Sequence, residues 1–395
     1  MPNLRYAAIT LLAATVAGVT LLMGGHLVRR ATAGSGLAVG LQGKNAHRRT
    51  PLERLRLRRA WWFQEKCSPC WLAAFSPGNR EIYLFAGGGP ARVPRGAFQL
   101  PKPLTPLPAS AGFLSWQLMP VISADRQLFG AIFKNRGGRR AVAVWSLSKP
   151  RGPKILYLPN TVDTTVYALS FSPRNRLLAA GYRGAIFIWN RRTGHLKEVL
   201  KAGGWRPPLS PRAIVFLRGN RLAAAVGGWV LCWDYKTGRL LYRAKVATLA
   251  GVPLEPENSG RNMRGSIESM VSVRHRTVLA CGWGVSWPSA TITFCDASNG
   301  RPIRNIRLFS PQMRGVAKDC SVACMEPVSG NRLVVGIMHG FKFMGRVAIV
   351  ADRSGRILAL SRRVVGGCFY VSAARKGPWV LSAGFLGVRL WRAGR

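Results

Sequence analysis

A tryptophan recurs at a fixed interval in the middle of the chain. Trp145, Trp189 and Trp233 are each separated by 44 residues. A constant period of this length indicates repeats of one small unit, which stack so that neighbours bury each other's apolar faces. This feature restricts the fold more than the composition does, because every unit must then share one strand order and one set of turns.

The sequence within the period indicates four β-strands per unit. Residues 166–197 and 213–244 both contain an alternating apolar strand, a small-residue strand, an apolar strand that ends in tryptophan, and a fourth strand. The turn after the tryptophan is NRRTG in one unit and DYKTG in the other. We expect Asn190 or Asp234 to bond the backbone there while the turn glycine takes a positive φ.

These stretches resemble WD40 repeats. The segments FSPRNRLLAAGYRGAIFIWNRRTG and GNRLAAAVGGWVLCWDYKTG are the most similar, and the resemblance extends to the broader YVTN-type and quinoprotein-like propellers. It implies an all-β fold, a propeller of about seven four-stranded blades over residues 55–395. Further turns at Asp296 and Asp352 and a final tryptophan continue the pattern. The predicted blade anchors are Trp145, Trp189, Trp233, Asp234, Asp296, Asp352 and Trp391.

Two further features complete the predicted ring. The last unit offers only three strands, around residues 368–371, 379–383 and 388–391, before the chain stops. An unpaired sheet edge favours aggregation, so we predict that LRLRRAWWF, residues 55–63, supplies the fourth strand and closes the ring. The longer spacing between Asp234 and Asp296 predicts an insertion at residues 250–266, which are rich in Pro, Gly and Asn.

The amino-terminal segment predicts attachment to a membrane. Residues 7–25 are uncharged and apolar or small, which is nearly enough for one membrane-spanning helix. Arg29 and Arg30 disfavour cleavage at the following Ala-Thr-Ala, so residues 1–25 are predicted to be an uncleaved signal anchor and residues 26–54 a flexible basic linker. We expect a single-pass protein with an extracytoplasmic propeller; flanking positive charge leaves the cytoplasmic side as the alternative.

The charge of the chain is strongly positive. It contains 59 Lys and Arg against 14 Asp and Glu, a net charge of +45. Such a balance favours non-specific contact with an anionic polymer or anionic lipid. Neither an RNA-binding signature nor zinc-finger spacing occurs in the sequence, so no specific nucleic acid is expected as a partner.

The cysteines predict structural roles. Cys67 and Cys70 are separated by two residues, with no surrounding βαβ pattern and no second such pair, which favours a local disulfide over redox catalysis. Cys320 and Cys324 lie four residues apart in a strand-like run, so we expect them to share one strand face in the core.

The predicted function is therefore a non-catalytic, membrane-associated platform that binds a protein partner. No catalytic, cofactor-binding or metal-binding motif was found in the sequence. Two alternatives remain: an exported enzyme or cofactor binder of the quinoprotein type, and a polyanion binder that uses arginine.

Overall fold

The computed structural model describes most of the propeller region. The described residues are 55–63, 70, 72–86, 89–95, 102–103, 111–113, 120–135, 140–148, 152–157, 166–182, 184–201, 211–246, 266–284, 290–308, 320–328, 330–339 and 344–394. The predicted anchor and linker, residues 1–54, lie outside this set. Within it, no helix is long and apolar enough to cross a membrane.

The described strands form a seven-bladed β-propeller of four-stranded blades. The first strand, β1 (Leu55–Phe63), belongs to the last blade. Blade 1 contains β2 (Leu72–Phe75), β3 (Glu81–Ala86), β4 (Gly89–Pro94) and β5 (Lys102–Pro103). Blade 2 contains β6 (Ala111–Phe113), β7 (Val121–Ile122), β8 (Leu128–Asn135), β9 (Arg140–Ser146) and β10 (Lys154–Tyr157). In blade 2, β6 and β7 share the innermost position, since both pair with β8.

Blades 3, 4 and 5 are regular. Blade 3 contains β11 (Ala168–Phe171), β12 (Leu177–Tyr182), β13 (Ala185–Asn190) and β14 (Leu196–Lys201). Blade 4 contains β15 (Ala213–Phe216), β16 (Arg221–Val226), β17 (Trp229–Asp234) and β18 (Leu240–Lys245). Blade 5 contains β19 (Ile267–Val273), β20 (Val278–Trp283), β21 (Thr291–Asp296) and β22 (Pro302–Arg307). The predicted insertion falls between β18 and β19, and apart from Ser266 it lies outside the described residues.

Blades 6 and 7 share one nine-stranded sheet. Blade 6 contains β23 (Cys320–Val328), β24 (Arg332–His339), β25 (Met344–Ala351) and β26 (Ile357–Leu360), and the short β27 (Val364–Val365) pairs with β25. Blade 7 contains β28 (Tyr370–Ala373), β29 (Trp379–Gly384), β30 (Gly387–Gly394) and β1.

The core consists of apolar clusters between neighbouring blades. Seven clusters of buried residues each join two adjacent blades, and one of them joins blade 7 to blade 1. The second strand of a blade is covered on both sides, so β12 and β16 are buried along almost their whole length. Their alanines, for example Ala179 and Ala224, suit this position because blades approach closely near the centre of the ring.

The predicted closure of the ring is confirmed. β1 pairs antiparallel with β30, from Arg56 opposite Gly394 to Phe63 opposite Val388, with a β-bulge between Arg59 and Trp61. The start of β1 also pairs in parallel with β26 of blade 6. The first strand of the propeller therefore completes the last blade and links it to the blade before.

One expectation about the core is wrong. Cys320 packs between blades 5 and 6, whereas Cys324 packs between blades 6 and 7, so the two side chains lie on opposite faces of β23. The cause is a β-bulge: Val322 lies opposite Ile337, but Cys324 lies opposite the next residue, Gly336. One extra residue in a strand reverses the side-chain alternation beyond it.

Candidate functional site

Two sets of turns share one face of the propeller. Since consecutive strands are antiparallel, the first-to-second turns of all seven blades and the third-to-fourth turns of blades 1–6 lie at the same end of the strands. We call this end the turn face. Its described residues are 76–80, 123–127, 172–176, 217–220, 274–277, 330–331 and 374–378 in the first set, and 95, 147–148, 152–153, 191–195, 235–239, 297–301 and 352–356 in the second.

The third-to-fourth turns have the geometry that their sequences indicate. The Asp234 carboxylate accepts bonds from the backbone N–H groups of Lys236 at 2.8 Å and Thr237 at 3.3 Å. Asp296 accepts bonds from the backbone and hydroxyl of Ser298, and these bonds lower the pKa of Asp296. The glycines that end these turns have positive φ, +71° at Gly238 and +74° at Gly300.

Asp352 occupies a different position from Asp296. Its turn begins at Ala351, whose carbonyl accepts the Gly355 N–H, so Asp352 is the second residue of the turn. The carboxylate is buried, with Oδ2 3.5 Å from Nε of Arg274 in blade 5. The Asp352 backbone carbonyl also accepts a bond from Arg274 Nη2 at 3.0 Å. Asp352 therefore links blades 5 and 6 rather than forming its own turn.

The tryptophan anchors lie on the third strand of their blades. The indole rings of Trp145, Trp189, Trp233 and Trp391 are all buried between blades. Two of them also donate a hydrogen bond, Trp233 to the Lys201 carbonyl at 3.3 Å and Trp391 to the Ser382 hydroxyl at 2.8 Å. A buried indole is most stable when its N–H has a partner.

The first-to-second turns each contain a residue with left-handed backbone geometry. In blades 1, 3, 4 and 6 this residue is an asparagine, which tolerates positive φ better than other side chains. In blade 2 the corresponding residue is Arg126, with φ +61°. The turn of blade 5 also has arginines with positive φ, at Arg274 and Arg276, so it is the contacts of the Arg126 side chain that set this residue apart.

The Arg126 side chain contacts the innermost strands of three other blades, and we call this part of the molecule the inner end of the ring. Its Nη2 donates to Glu326 Oε1 of blade 6 at 2.8 Å and to the Ala373 carbonyl of blade 7, and Nη1 lies 3.5 Å from the Phe75 carbonyl of blade 1. Glu326 Oε2 accepts the Ala373 N–H at 3.1 Å. One guanidinium thus joins blade 2 to three other blades, and we call this contact the cross-blade ion pair.

Burial dominates the ionisation of Glu326. It raises the pKa of this carboxyl above its ordinary value of 4.5, although the charge and hydrogen bond of Arg126 act in the opposite direction. A pocket of about 210 Å³ lies beside the ion pair, lined by Arg126, Glu326, Pro327, Val328, Arg375 and nearby alanines. Arg375, which also lines the pocket, donates from Nη2 to the Ala124 carbonyl at 2.8 Å.

Carboxylates and cations are arranged differently on the turn face. Its aspartates bond their own turns or a neighbouring blade: Asp125, for example, accepts bonds from Ser123 at 2.6 Å and from Asn175 at 2.6 Å. Many basic residues are exposed instead, in the turns or at the adjoining strand ends. They are Arg80, Arg95, Arg174, Arg176, Arg192, Arg218, Lys236, Arg239, Arg301, Arg332, Arg353, Arg356, Arg375 and Lys376.

A cysteine and a histidine meet at the opposite end of blade 6. Cys320, the first residue of β23, pairs in register with His339, the last residue of β24, and Cys320 Sγ is 2.9 Å from Nδ1 of His339. This is hydrogen-bonding distance for a thiol and an imidazole. The Cys320 thiol is completely buried, however. Among the described residues, no group of three or more His, Cys, Asp or Glu is placed to hold a metal ion.

The predicted disulfide stays a prediction. Cys67 lies outside the described residues, and Cys70 is buried, with its sulfur 3.2 Å from the Leu72 carbonyl. The sequence reasoning missed two pairs, Arg126 with Glu326 and Cys320 with His339. The first had one visible signal, since Ser-Ala-Asp-Arg in blade 2 aligns with Ser-Pro-Arg-Asn in blade 3 and places an arginine where asparagine is preferred.

The chain matches no protein-family model and no curated protein. Its assignment as a seven-bladed β-propeller rests on the strand order, the registers and the inter-blade clusters given above.

Proposed function

We propose that this propeller is a non-catalytic interaction platform at a membrane, and that its turn face binds an acidic surface of a protein partner. The observation that supports the proposal is the arrangement of charge on that face. The carboxylates bond to the turns or to a neighbouring blade, while arginines of blades 1 and 3–7 are exposed. Exposed basic side chains therefore outnumber the carboxylates on this face.

The backbone beneath these arginines is held in a fixed geometry. In blades 4 and 5 the turn aspartates accept backbone N–H bonds, and the blade 5 turn is also fixed from blade 4, where the Tyr242 hydroxyl donates to the Ala297 carbonyl at 3.2 Å. A preorganised surface loses less entropy on binding than a flexible loop does. Arginine also suits such a surface, because its planar guanidinium can donate two parallel bonds to one carboxylate.

The WD40 resemblance and the membrane anchor are parts of the same proposal. The recurrent tryptophan and the following Asn- or Asp-initiated, glycine-containing turn support a WD40-type propeller. Residues 7–25 would hold the ring at a bilayer through the basic linker, with the propeller on the extracytoplasmic side. A protein partner anchored in, or lying near, the same membrane would then encounter the turn face.

The same charge pattern favours a second candidate, a polyanion such as a nucleic acid or a phosphate-rich polymer. The two candidates differ in how binding responds to salt and sequence. A polyanion should bind with little sequence preference, and its affinity should fall steeply as salt rises. A folded acidic partner should bind at a fixed stoichiometry and retain measurable affinity at moderate salt, because apolar contacts contribute as well.

The enzyme alternative has one observation in its favour, the contact between Cys320 and His339. A nucleophilic cysteine with an adjacent base is a known catalytic arrangement. Replacement of Cys320 by serine would test it, since any hydrolytic or transfer activity that depends on this thiol would then be lost. Partner binding through the turn face should be unchanged by that replacement, because the pair lies at the other end of the strands.

The decisive experiment compares two triple variants of equal charge. One replaces Arg239, Arg301 and Arg356 by glutamine; these residues follow the turn glycines of blades 4, 5 and 6. Their backbone N–H groups make the turn hydrogen bonds, so the turns should survive. The control replaces Arg243, Arg307 and Arg362, which are exposed outside the turn face.

The readout is affinity purification of the full chain from detergent-solubilised membranes, followed by measurement of binding to the identified partner. We expect the turn-face variant to lose at least tenfold in affinity and the control to stay within about twofold. Equal losses in both variants would show that only the total charge matters. That result would contradict a turn-face site and favour the polyanion candidate.

A further inference from the structure

Two buried cysteines from different blades meet between blades 6 and 7. Cys324 lies on β23 of blade 6, and Cys368 precedes β28 of blade 7. The sulfur of Cys324 is 3.9 Å from the Cys368 carbonyl oxygen, and both sulfurs lie within 3.0 Å of the position that a Cβ at residue 336 would take. Both residues belong to the apolar cluster that joins these two blades.

Two departures from regular structure create this contact. The β-bulge in β23 directs Cys324 toward blade 7 instead of blade 5. Opposite Cys324 in register lies Gly336, in the middle of β24. A Cβ added at Gly336 would overlap the sulfur of Cys324 and lie 3.0 Å from the sulfur of Cys368. The space in which the two sulfurs meet therefore exists because residue 336 has no side chain.

A second pair of buried cysteines lies within one blade, in a strand register that does not suit a disulfide. Cys281 and Cys295 of blade 5 are also buried, in one apolar cluster. Cys281 lies opposite Thr293, and Cys295 lies opposite Leu279, so the two cysteines are diagonal neighbours on adjacent strands. Diagonal neighbours are separated by about 7–8 Å, which exceeds the usual range for a disulfide.

We propose that Cys324 and Cys368 are a disulfide-forming pair that covalently joins blade 6 to blade 7. The oxidant is a low-molecular-weight disulfide. The thiolate of Cys324 attacks it, forms a mixed disulfide and releases one thiol. The thiolate of Cys368 then attacks the sulfur of Cys324 and releases the second thiol. Two protein thiols are thereby oxidised, one small disulfide is reduced to two thiols, and the two protein protons pass to the two leaving thiolates.

The burial of the pair determines when the bond can form. Burial raises the pKa of the Cys324 thiol well above its ordinary value, and the neighbouring Cys368 raises it further. The thiolate is therefore scarce at neutral pH in the closed ring, and exchange should be slow there. Exchange should be faster at alkaline pH and while the chain is folding, before blade 7 packs against blade 6.

The test uses the full chain in detergent with a buffer of oxidised and reduced glutathione. One sample is incubated folded, and a second is refolded from denaturant in the same buffer, so that access does not limit the reaction. Remaining thiols are alkylated after acid quenching, and disulfide-linked peptides are identified by mass spectrometry with and without reduction. The predicted local pair Cys67 and Cys70 has only Ser68 and Pro69 between its members, so a link within it is distinguished from one between blades.

We expect a linked peptide pair containing Cys324 and Cys368 in the refolded sample, with Cys281 and Cys295 alkylated. Oxidation should raise Tm by several degrees in wild type and in the control Cys281→Ser, but not in Cys324→Ser. If Cys324 and Cys368 are alkylated, or carry glutathione, after refolding into the native ring, the proposal is wrong. It does not depend on the proposed partner binding, and either can fail without the other.

Discussion

The ring is closed in two places by different physical means. At its outer edge, β1 pairs with β30 over most of a nine-residue strand and also touches β26. At its inner end, a single guanidinium from blade 2 reaches blades 1, 7 and 6. The outer closure is distributed over many backbone hydrogen bonds, so no one side chain should be essential to it. The inner closure depends on one side chain and on the charge of its partner.

This difference predicts how each closure responds to change. A backbone ladder should tolerate substitution and depend little on pH, whereas an ion pair with Arg126 buried and Glu326 partly buried should be sensitive to both. The five predictions that follow test that contrast and the packing beside it, beginning with the largest expected effect and ending with the smallest.

The largest effect should come from removal of β1. A chain that begins at Leu72 lacks the fourth strand of blade 7 and exposes the edge of β30. We expect it to lose cooperative unfolding, or to aggregate, while a chain that begins at Thr50 unfolds in one transition. Thermal unfolding followed by circular dichroism would make the comparison. Equal melting curves for the two chains would show that β1 does not stabilise the ring.

Replacement of Arg126 by asparagine should be the most damaging single substitution at the inner closure. Asparagine fits the left-handed turn, as in blades 1, 3, 4 and 6, so the change removes only the cross-blade contacts. Glu326 would then be left without its cation, at a cost of about 3 kcal/mol in unfolding free energy. Denaturant unfolding measures this value, and a loss below about 0.5 kcal/mol would show that the ion pair is structurally unimportant.

Glu326→Gln is the matched substitution on the other side of the pair. Arg126 keeps the carbonyls of Phe75 and Ala373 as acceptors, so the cost should be smaller, about 1 kcal/mol. The double variant should cost less than the sum of the two single changes, because both remove the same contact. Strict additivity would mean that the two side chains do not interact energetically.

The fit of the inner strands can be tested at Gly336. An alanine there would overlap the sulfur of Cys324, so Gly336→Ala should lower the unfolding free energy by about 2 kcal/mol through overpacking. Adding Cys324→Ala should restore part of this loss, because the smaller side chain returns the space. If the second change makes the protein still less stable, the contact at Gly336 is not the cause.

The smallest effect is a pH dependence of the inner closure. Burial raises the pKa of Glu326, so the folded state holds this proton more tightly than the unfolded state does. Its contribution to stability therefore increases as the pH falls through the folded pKa. Removal of Arg126 should raise that pKa further, so the stability difference between wild type and Arg126→Asn should narrow as the pH falls from 7 toward 4.

Asp125 should change the stability of the folded state with pH in the opposite direction. Burial acts to raise the pKa of Asp125, but the bonds from Ser123, Gln127 and Asn175, with the charge of Arg375, outweigh it and leave this pKa lowered. Its contribution is present above the unfolded pKa and is lost as the pH falls through the folded one. That loss is common to wild type and variant and cancels in their difference. A difference that widens toward acid would contradict the assignment of Glu326.

The outer closure could be predicted from the sequence, whereas the inner one could not. The repeat requires four strands per unit, and the sequence shows only three in the last unit. Residues 55–63 form a strand-like run outside the other units, so they can fill the fourth position. Arg126 and Glu326 are 200 residues apart, and their meeting depends on how closely blades 2 and 6 approach at the centre. The face of Cys324 could not be predicted either, because a single bulge in β23 determines it.

The central claim is that β1 is an integral strand of blade 7. Amide hydrogen exchange of the full chain, read at the level of single strands, tests it most directly. We predict that β1 is protected to the same degree as β29 and β30 and loses protection together with them as denaturant is raised. Fast exchange in β1 while β29 and β30 stay protected would contradict the claim.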